Sequence, residues 1–91
     1  MFTVISYDVV DDRRRNKVHA LLKGYGTRVQ YSVFECDLEA RHLAAIQQEI
    51  RALVDLATDS VRFYFLDTAA VARILVVGIG QVSTDPRYYW C

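Results

Sequence analysis

The sequence is poor in most features that announce a function through composition. Its eleven basic and eleven acidic residues cancel to a formal net charge of zero, so no global positive field is available to hold a polyanion. Any nucleic-acid binding must come from a local patch or from a metal. The two cysteines, Cys36 and Cys91, lie far apart and show neither paired nor metal-ligand spacing, which points to reduced thiols in a cytosolic protein. His19 and His42 fall on separate helical stretches with no second ligand nearby in sequence. No apolar run approaches membrane length, and the start of the chain shows no basic leader or signal-peptide pattern. A soluble, cytoplasmic protein without membrane association is therefore expected. Neither repeats nor low-complexity segments interrupt the chain.

What is abundant is apolar surface. Hydrophobic residues make up 53% of the 91 positions, with six Tyr, four Phe and one Trp. A chain of this length forms one domain and buries only a modest share of its surface. The apolar excess is easier to bury in an oligomer, so a homodimer is expected.

The stretch 2–8 supplies Phe2, Thr3, Val4, Ile5 and Tyr7, a mix suited to a packed strand, and it stops abruptly at Asp8. Asp11 and Asp12 supply a cap and first-turn negative charge for a helix. Val18, Leu21, Leu22 and Tyr25 then form one apolar stripe, which Gly24 and Gly26 close in the usual C-terminal manner. Two strands follow at about 27–30 and 33–38, reversing at Tyr31-Ser32. The reversal lacks Asn-Gly chemistry, so a single bulged strand remains an alternative. Asp37 can cap a second helix carrying Leu43, Ile46, Ile50, Leu53 and Ala57. Thr58-Asp59-Ser60 reads as a short turn. The strand at 61–66 sets Arg62 and Tyr64 against Val61, Phe63 and Phe65. A last strand is expected at 73–78, with two apolar faces that could join a partner's sheet edge. The single domain thus runs over 1–80, and 81–91, with Pro86 and Tyr88-Tyr89-Trp90, reads as a tail. The order predicts an α+β, ferredoxin-like βαββαβ domain with an extra C-terminal strand.

In that fold the first strand is central, so Asp8 stands at the rim of the sheet's middle, where ligands of such sheets collect. It is either a turn former or a hard ligand for Mg²⁺, with Mn²⁺ as the substitute; Mg²⁺ needs only one or two protein carboxylates. One carboxylate per chain is a thin site. A two-fold axis bringing two copies of Asp8 together would double it. Arg13, Arg14, Arg15 and Lys17 form a local basic patch, read as lying beside Asp8, and Arg28 begins a strand on the same sheet. Composition alone favours a solvated helix face; position beside Asp8 favours phosphate contacts, which such groups make without sequence preference. Tyr7 reads most simply as a core or rim aromatic, Phe34 as a core or interface residue, and Ser32 as a turn residue.

The stretches SYDVVDDRRRNKV (6–18), YGTRVQYSVFEC (25–36) and DSVRFYFL (59–66) together resemble the CRISPR-associated protein 2 family, the small partner of the CRISPR integrase. The resemblance reaches to about Gly80. It implies a ferredoxin-like homodimer acting as a Mg²⁺-dependent endonuclease on single-stranded RNA or double-stranded DNA. It equally implies a non-catalytic scaffold that bridges integrase dimers during spacer acquisition. On matching positions, Asp8 would be the catalytic, metal-binding residue, paired with its symmetry mate. Tyr7, Arg15, Lys17, Arg28, Ser32 and Phe34 would support activity or contact nucleic acid, and the C-terminal strand would complete the partner's sheet. A small-molecule regulator or an unrelated toxin ribonuclease of the same fold is the remaining alternative.

Overall fold

The computed structural model describes residues 1–82; the expected tail beyond that point, with Pro86, the Tyr88-Tyr89-Trp90 cluster and Cys91, lies outside the described residues. The elements run β1 (Phe2–Asp8), α1 (Asp12–Lys23), β2 (Gly26–Gln30), β3 (Val33–Asp37), α2 (Ala40–Leu53), β4 (Ser60–Leu66) and α3 (Thr68–Ala72). The strands form one sheet in the order β2-β3-β1-β4, with every neighbouring pair antiparallel. This is the expected ferredoxin-like α+β arrangement, with β1 flanked on both sides.

Alternation along the strands builds the core. Ile5 and Tyr7 of β1 and Phe34 and Cys36 of β3 pack with Val18 and Leu22 of α1 and Ile46 and Ile50 of α2. Phe34 and Ile5 are fully buried and stand opposite each other in the register. Cys36 is a free, buried thiol, pushed up to about 11 by desolvation and then by the neighbouring Glu35 carboxylate. Gly26 is required by close approach, because a Cβ there would collide with Cys36 Sγ and the Glu35 carbonyl oxygen.

The opposite sheet face is covered unevenly. Along β1, Phe2 is buried, Val4 and Ser6 are half-buried, and Asp8 is exposed. Phe2 pairs with Leu66, beyond which α3 packs back on β4 with Val71 buried. Cover thus lies at the Phe2 end and is missing at the Asp8 rim.

Asp11 caps α1 as expected, accepting from the Arg14 backbone N–H at 2.9 Å. Other expectations are corrected. Gly24 keeps a right-handed conformation (φ −75°), so α1 ends without a left-handed glycine. Asp37 does not cap α2; it stays at the end of β3 and faces the Met1 amino group at 3.3 Å, while Glu39 occupies the cap position without a side-chain bond. The helix stops at Leu53, and Ala57, which continues its period, lies exposed in the following turn. Phe65 shares the parity of Phe63 yet is 49% exposed, at the end of an edge strand. The two-strand reading of the β2–β3 reversal holds and the single bulged strand does not: Tyr31 and Ser32 form the turn between two paired strands, and a register shift falls within their ladder between Arg28 and Gln30. Among the described residues only glycines have positive φ, so the primed two-residue turns are excluded and the irregularity takes up the mismatch in twist.

The strand expected over 73–78 is absent from the single chain. Asp67 caps α3 by accepting from the Ala70 backbone N–H at 2.8 Å, and Arg73 ends that helix. Residues 74–77 carry no ladder, and Leu75 and Val77 are 84% and 90% exposed. An apolar stretch forms a strand only where an edge is offered to it. No helix among the described residues is long and apolar enough to cross a membrane.

Asp59 ties the elements together. Its carboxylate accepts from Arg14 Nε and Nη2 at 3.0 and 3.3 Å, from the Val10 backbone N–H at 3.1 Å and from the Asp55 backbone N–H at 2.8 Å. The Arg14 side chain first, and then the backbone donors, hold the Asp59 carboxyl well below the usual carboxylate range, against an opposing desolvation effect. A depressed acid contributes stability above its unfolded pKa, about 4, and that contribution is lost as pH falls from there toward the folded value. Asp59→Asn is therefore expected to lower the urea midpoint at neutral pH, and the gap from the parent protein narrows below about pH 4. Phe34→Ala is expected to cost about 3–5 kcal/mol in the same titration, because it empties the centre of the core.

Candidate active site

The period-two rule separates neighbours at the end of β1. Tyr7 turns to the helix side, and Asp8 turns to the open face. Two clefts result, and Tyr7 lines both.

The open-face cleft, about 320 Å³, is lined by Ser6, Tyr7, Asp8, Ser60, Arg62 and Tyr64. Asp8 stands opposite Ser60, Ser6 opposite Arg62, and Val4 opposite Tyr64. Arg62 is therefore a diagonal neighbour of Asp8 on the same face, within reach of a long side chain. Its Nη1 lies 3.4 Å from the Tyr64 hydroxyl, and that contact raises the guanidinium above its already high ordinary value. Asp8 is exposed, and among the described residues no side chain bonds or ion-pairs its carboxylate.

The helix-side cleft, about 250 Å³, is lined by Tyr7, Arg15, Asn16, His19, Arg28 and Tyr31. Arg28 shares the face of Phe34, its register partner. The Arg28 guanidinium lies 5.1 Å from the centre of the Tyr31 ring. Arg15 donates from Nε to the Val9 carbonyl at 3.1 Å and from Nη1 to Asp12 at 2.7 Å, and the Asp12 bond leads in keeping it charged. Burial raises the Tyr7 phenol, partly offset by the positive charges of Arg28 and Arg15.

The basic turn and Asp8 were expected side by side; the structure puts Arg15 and Arg28 around the rim from the carboxylate. Arg14 is committed to Asp59. Lys17 is exposed and lines neither cleft. Phe34 is fully buried, so it acts through packing, with ring centres 6.3 Å from Tyr7 and 5.4 Å from His19. Ser32 contributes its carbonyl oxygen, which accepts from the Tyr7 backbone N–H at 3.0 Å. Arg62 and Tyr64 are the additions to the Asp8 site. Their alternation signals a common face, but only the β1–β4 register reveals that Asp8 shares it.

A divalent cation finds half a site here. Asp8 offers an unengaged, hard oxygen donor beside two serine hydroxyls, which suits Mg²⁺ with most of its waters retained. No group of three or more Asp, Glu, His or Cys side chains converges among the described residues. Asp8 is thus the one carboxylate lining this cleft among the described residues.

The family model for CRISPR associated protein Cas2 matches residues 1–74. The CRISPR-associated endoribonuclease Cas2 3 of Chloroflexus aurantiacus is 53% identical over 89 residues, covering 98% of this chain and 96% of that one. The CRISPR-associated endonuclease Cas2 2 of Thermus thermophilus is 43% identical over 78 residues, covering 86% and 82%. In structure, a hypothetical protein from Thermus thermophilus matches with a TM-score of 0.81 at 40% identity, covering 91% of this chain and 96% of that one. Streptococcus pyogenes Cas2 matches with a TM-score of 0.77 at 34% identity, covering 86% of this chain and 100% of that one. A family model matching most of the chain, and relatives 53% and 43% identical across nearly all of it, show that the chain belongs to the CRISPR associated protein Cas2 family.

Proposed function

We propose that the chain is a CRISPR-associated nuclease that hydrolyses phosphodiester bonds at Asp8, working as a homodimer in which two copies of that residue meet. The observation that carries this reading is the exposed, unengaged Asp8 carboxylate in a cleft that also contains Arg62. The names of the relatives, endoribonuclease and endonuclease, agree with it.

Asp8 from each subunit would hold Mg²⁺, or Mn²⁺ in its place, with Ser6 and Ser60 able to orient retained waters. Bound there, the ion would stabilise negative charge developing on the phosphoryl group. Without it, two close carboxylates repel each other, so metal and dimer geometry should depend on one another. Arg62 is placed to hold a phosphate on the Asp8 face. The exposed apolar residues Leu75, Val76 and Val77 supply a segment able to pair with a partner subunit's sheet edge.

A second reading has a specific observation in its favour, the single carboxylate each chain brings to the cleft. In that reading the dimer is a non-catalytic scaffold that grips a DNA duplex by its backbone and bridges dimers of the CRISPR integrase during spacer acquisition. The two readings separate at Asp8. Asp8→Asn is expected to lower cleavage of single-stranded RNA or double-stranded DNA by about 10²- to 10⁴-fold, equivalent to several kcal/mol of transition-state stabilisation. Its melting temperature should stay near that of the parent protein, because the residue is exposed and makes no side-chain bond. Cleavage that survives the substitution removes the hydrolytic reading. Loss of cutting with spacer acquisition intact assigns the cellular role to the scaffold. Arg62→Ala is expected to raise KM more than it lowers kcat, as checked by initial rates over a range of substrate concentrations.

A further inference from the structure

We propose that the helix-side cleft is a nucleotide subsite in which the Tyr31 ring is a stacking platform for one unpaired base and Arg15 and Arg28 hold its phosphate. The inference rests on the nuclease reading only in taking the occupant to be a polynucleotide; it places a new recognition element away from Asp8.

Four observations converge. Tyr31 sits in the two-residue turn between β2 and β3 and is 68% exposed, an unusual position for a large ring with no core to join. One side of that ring is taken by the Arg28 guanidinium at 5.1 Å, which fixes its orientation and leaves the remaining surface to solvent. Arg15 lines the same cleft as Tyr31 and Arg28, so both guanidinium groups face the pocket that the ring borders. No carboxylate lines the cleft, and the one that pairs with Arg15, Asp12, is exposed on the first turn of α1 and engages a single edge of the guanidinium.

Cations beside an exposed aromatic face are the elements of single-strand recognition. The cations hold the backbone, and the ring accepts any base through its π-face, without reading sequence. A duplex cannot present an unpaired base face to such a ring. The chemistry is shared by RNA and DNA single strands.

The test is fluorescence anisotropy of the full chain in excess EDTA, so that binding is read without cleavage. The probes are oligo(A), oligo(dA) and a blunt DNA duplex. Tyr31→Ala is expected to weaken binding of both single strands by about tenfold while changing duplex binding less than about twofold. Tyr31→Phe should bind as the parent protein does, and Tyr31→Leu should behave as Tyr31→Ala. Far-UV circular dichroism and melting of each variant check that the exposed turn tolerates the change. Single-strand binding by Tyr31→Ala equal to that of the parent overturns the proposal. So does an equal loss on the duplex, which would make the effect a general phosphate one. Parent-like binding by Tyr31→Leu, or a full loss with Tyr31→Phe, overturns stacking in favour of apolar contact or the hydroxyl. If Asp8→Asn abolishes cutting while Tyr31→Ala binds normally, the subsite falls alone. If Tyr31→Ala weakens binding while Asp8→Asn still cuts, the hydrolytic reading falls alone.

Discussion

The alternation of side chains along β1 governs how everything else is disposed. Because the strand has a neighbour on each side, its register is fixed twice, against β3 and against β4. A slip of one residue would bury Asp8 and expose Tyr7 and Ile5. The same alternation that fills the core with Ile5 and Tyr7 therefore delivers Asp8 to the open face. Folding and site placement are here a single constraint. The burial gradient from Phe2 to Asp8 adds the second half, since α3 shields one end of that face and leaves the other accessible.

Asp59 connects this constraint to the electrostatics. It joins the first turn of α1, the Val10 loop and the Asp55 turn immediately before β4, and thereby holds Ser60 opposite Asp8. It also takes Arg14 out of the basic run, while Asp12 takes one edge of Arg15. A stretch that reads as three consecutive arginines thus presents much less free charge than its sequence implies. Positive charge is concentrated instead where Arg15 meets Arg28, a residue from a different element.

Much of the fold was legible, because the main strands and both long helices rest on local periodicity. Misreadings arose where a local pattern was overruled or a weaker signal was passed over. Ala57 continued the period of α2, but Val54 had already turned to extended backbone. The apolar run at 74–77 has the composition of a strand, whereas Asp67 and the alanines that follow it form a capped segment of high helix propensity that ends just before that run. For the site, Asp8 was legible as a carboxylate ending a central strand. Its company was not. Arg62 and Tyr64 reach it only through the β1–β4 register, and Tyr31 and Arg15 line one cleft only because α1 packs beside β2. Composition gave Asp59 the role of a turn residue, since nothing local foretells a carboxylate accepting from three separate segments.

The two clefts also constrain one another. They open on opposite sides of the sheet yet share Tyr7, and the carboxylate lies one residue further along the strand, a step of about 3.3 Å. A polynucleotide engaging both must bend sharply over that rim. A duplex resists such a turn, since its persistence length is about 150 base pairs, and an elastic bend of 40–90° over a whole site already costs roughly 1–6 kcal/mol. A single strand has no comparable stiffness. Simultaneous occupation of the Tyr31 and Asp8 clefts is therefore a property of unpaired strands. A duplex, if bound, must meet one face at a time, and gripping its backbone from one side makes no demand on Asp8. A duplex cut at Asp8 would therefore use the open-face cleft alone, whereas a single strand can use both clefts at once.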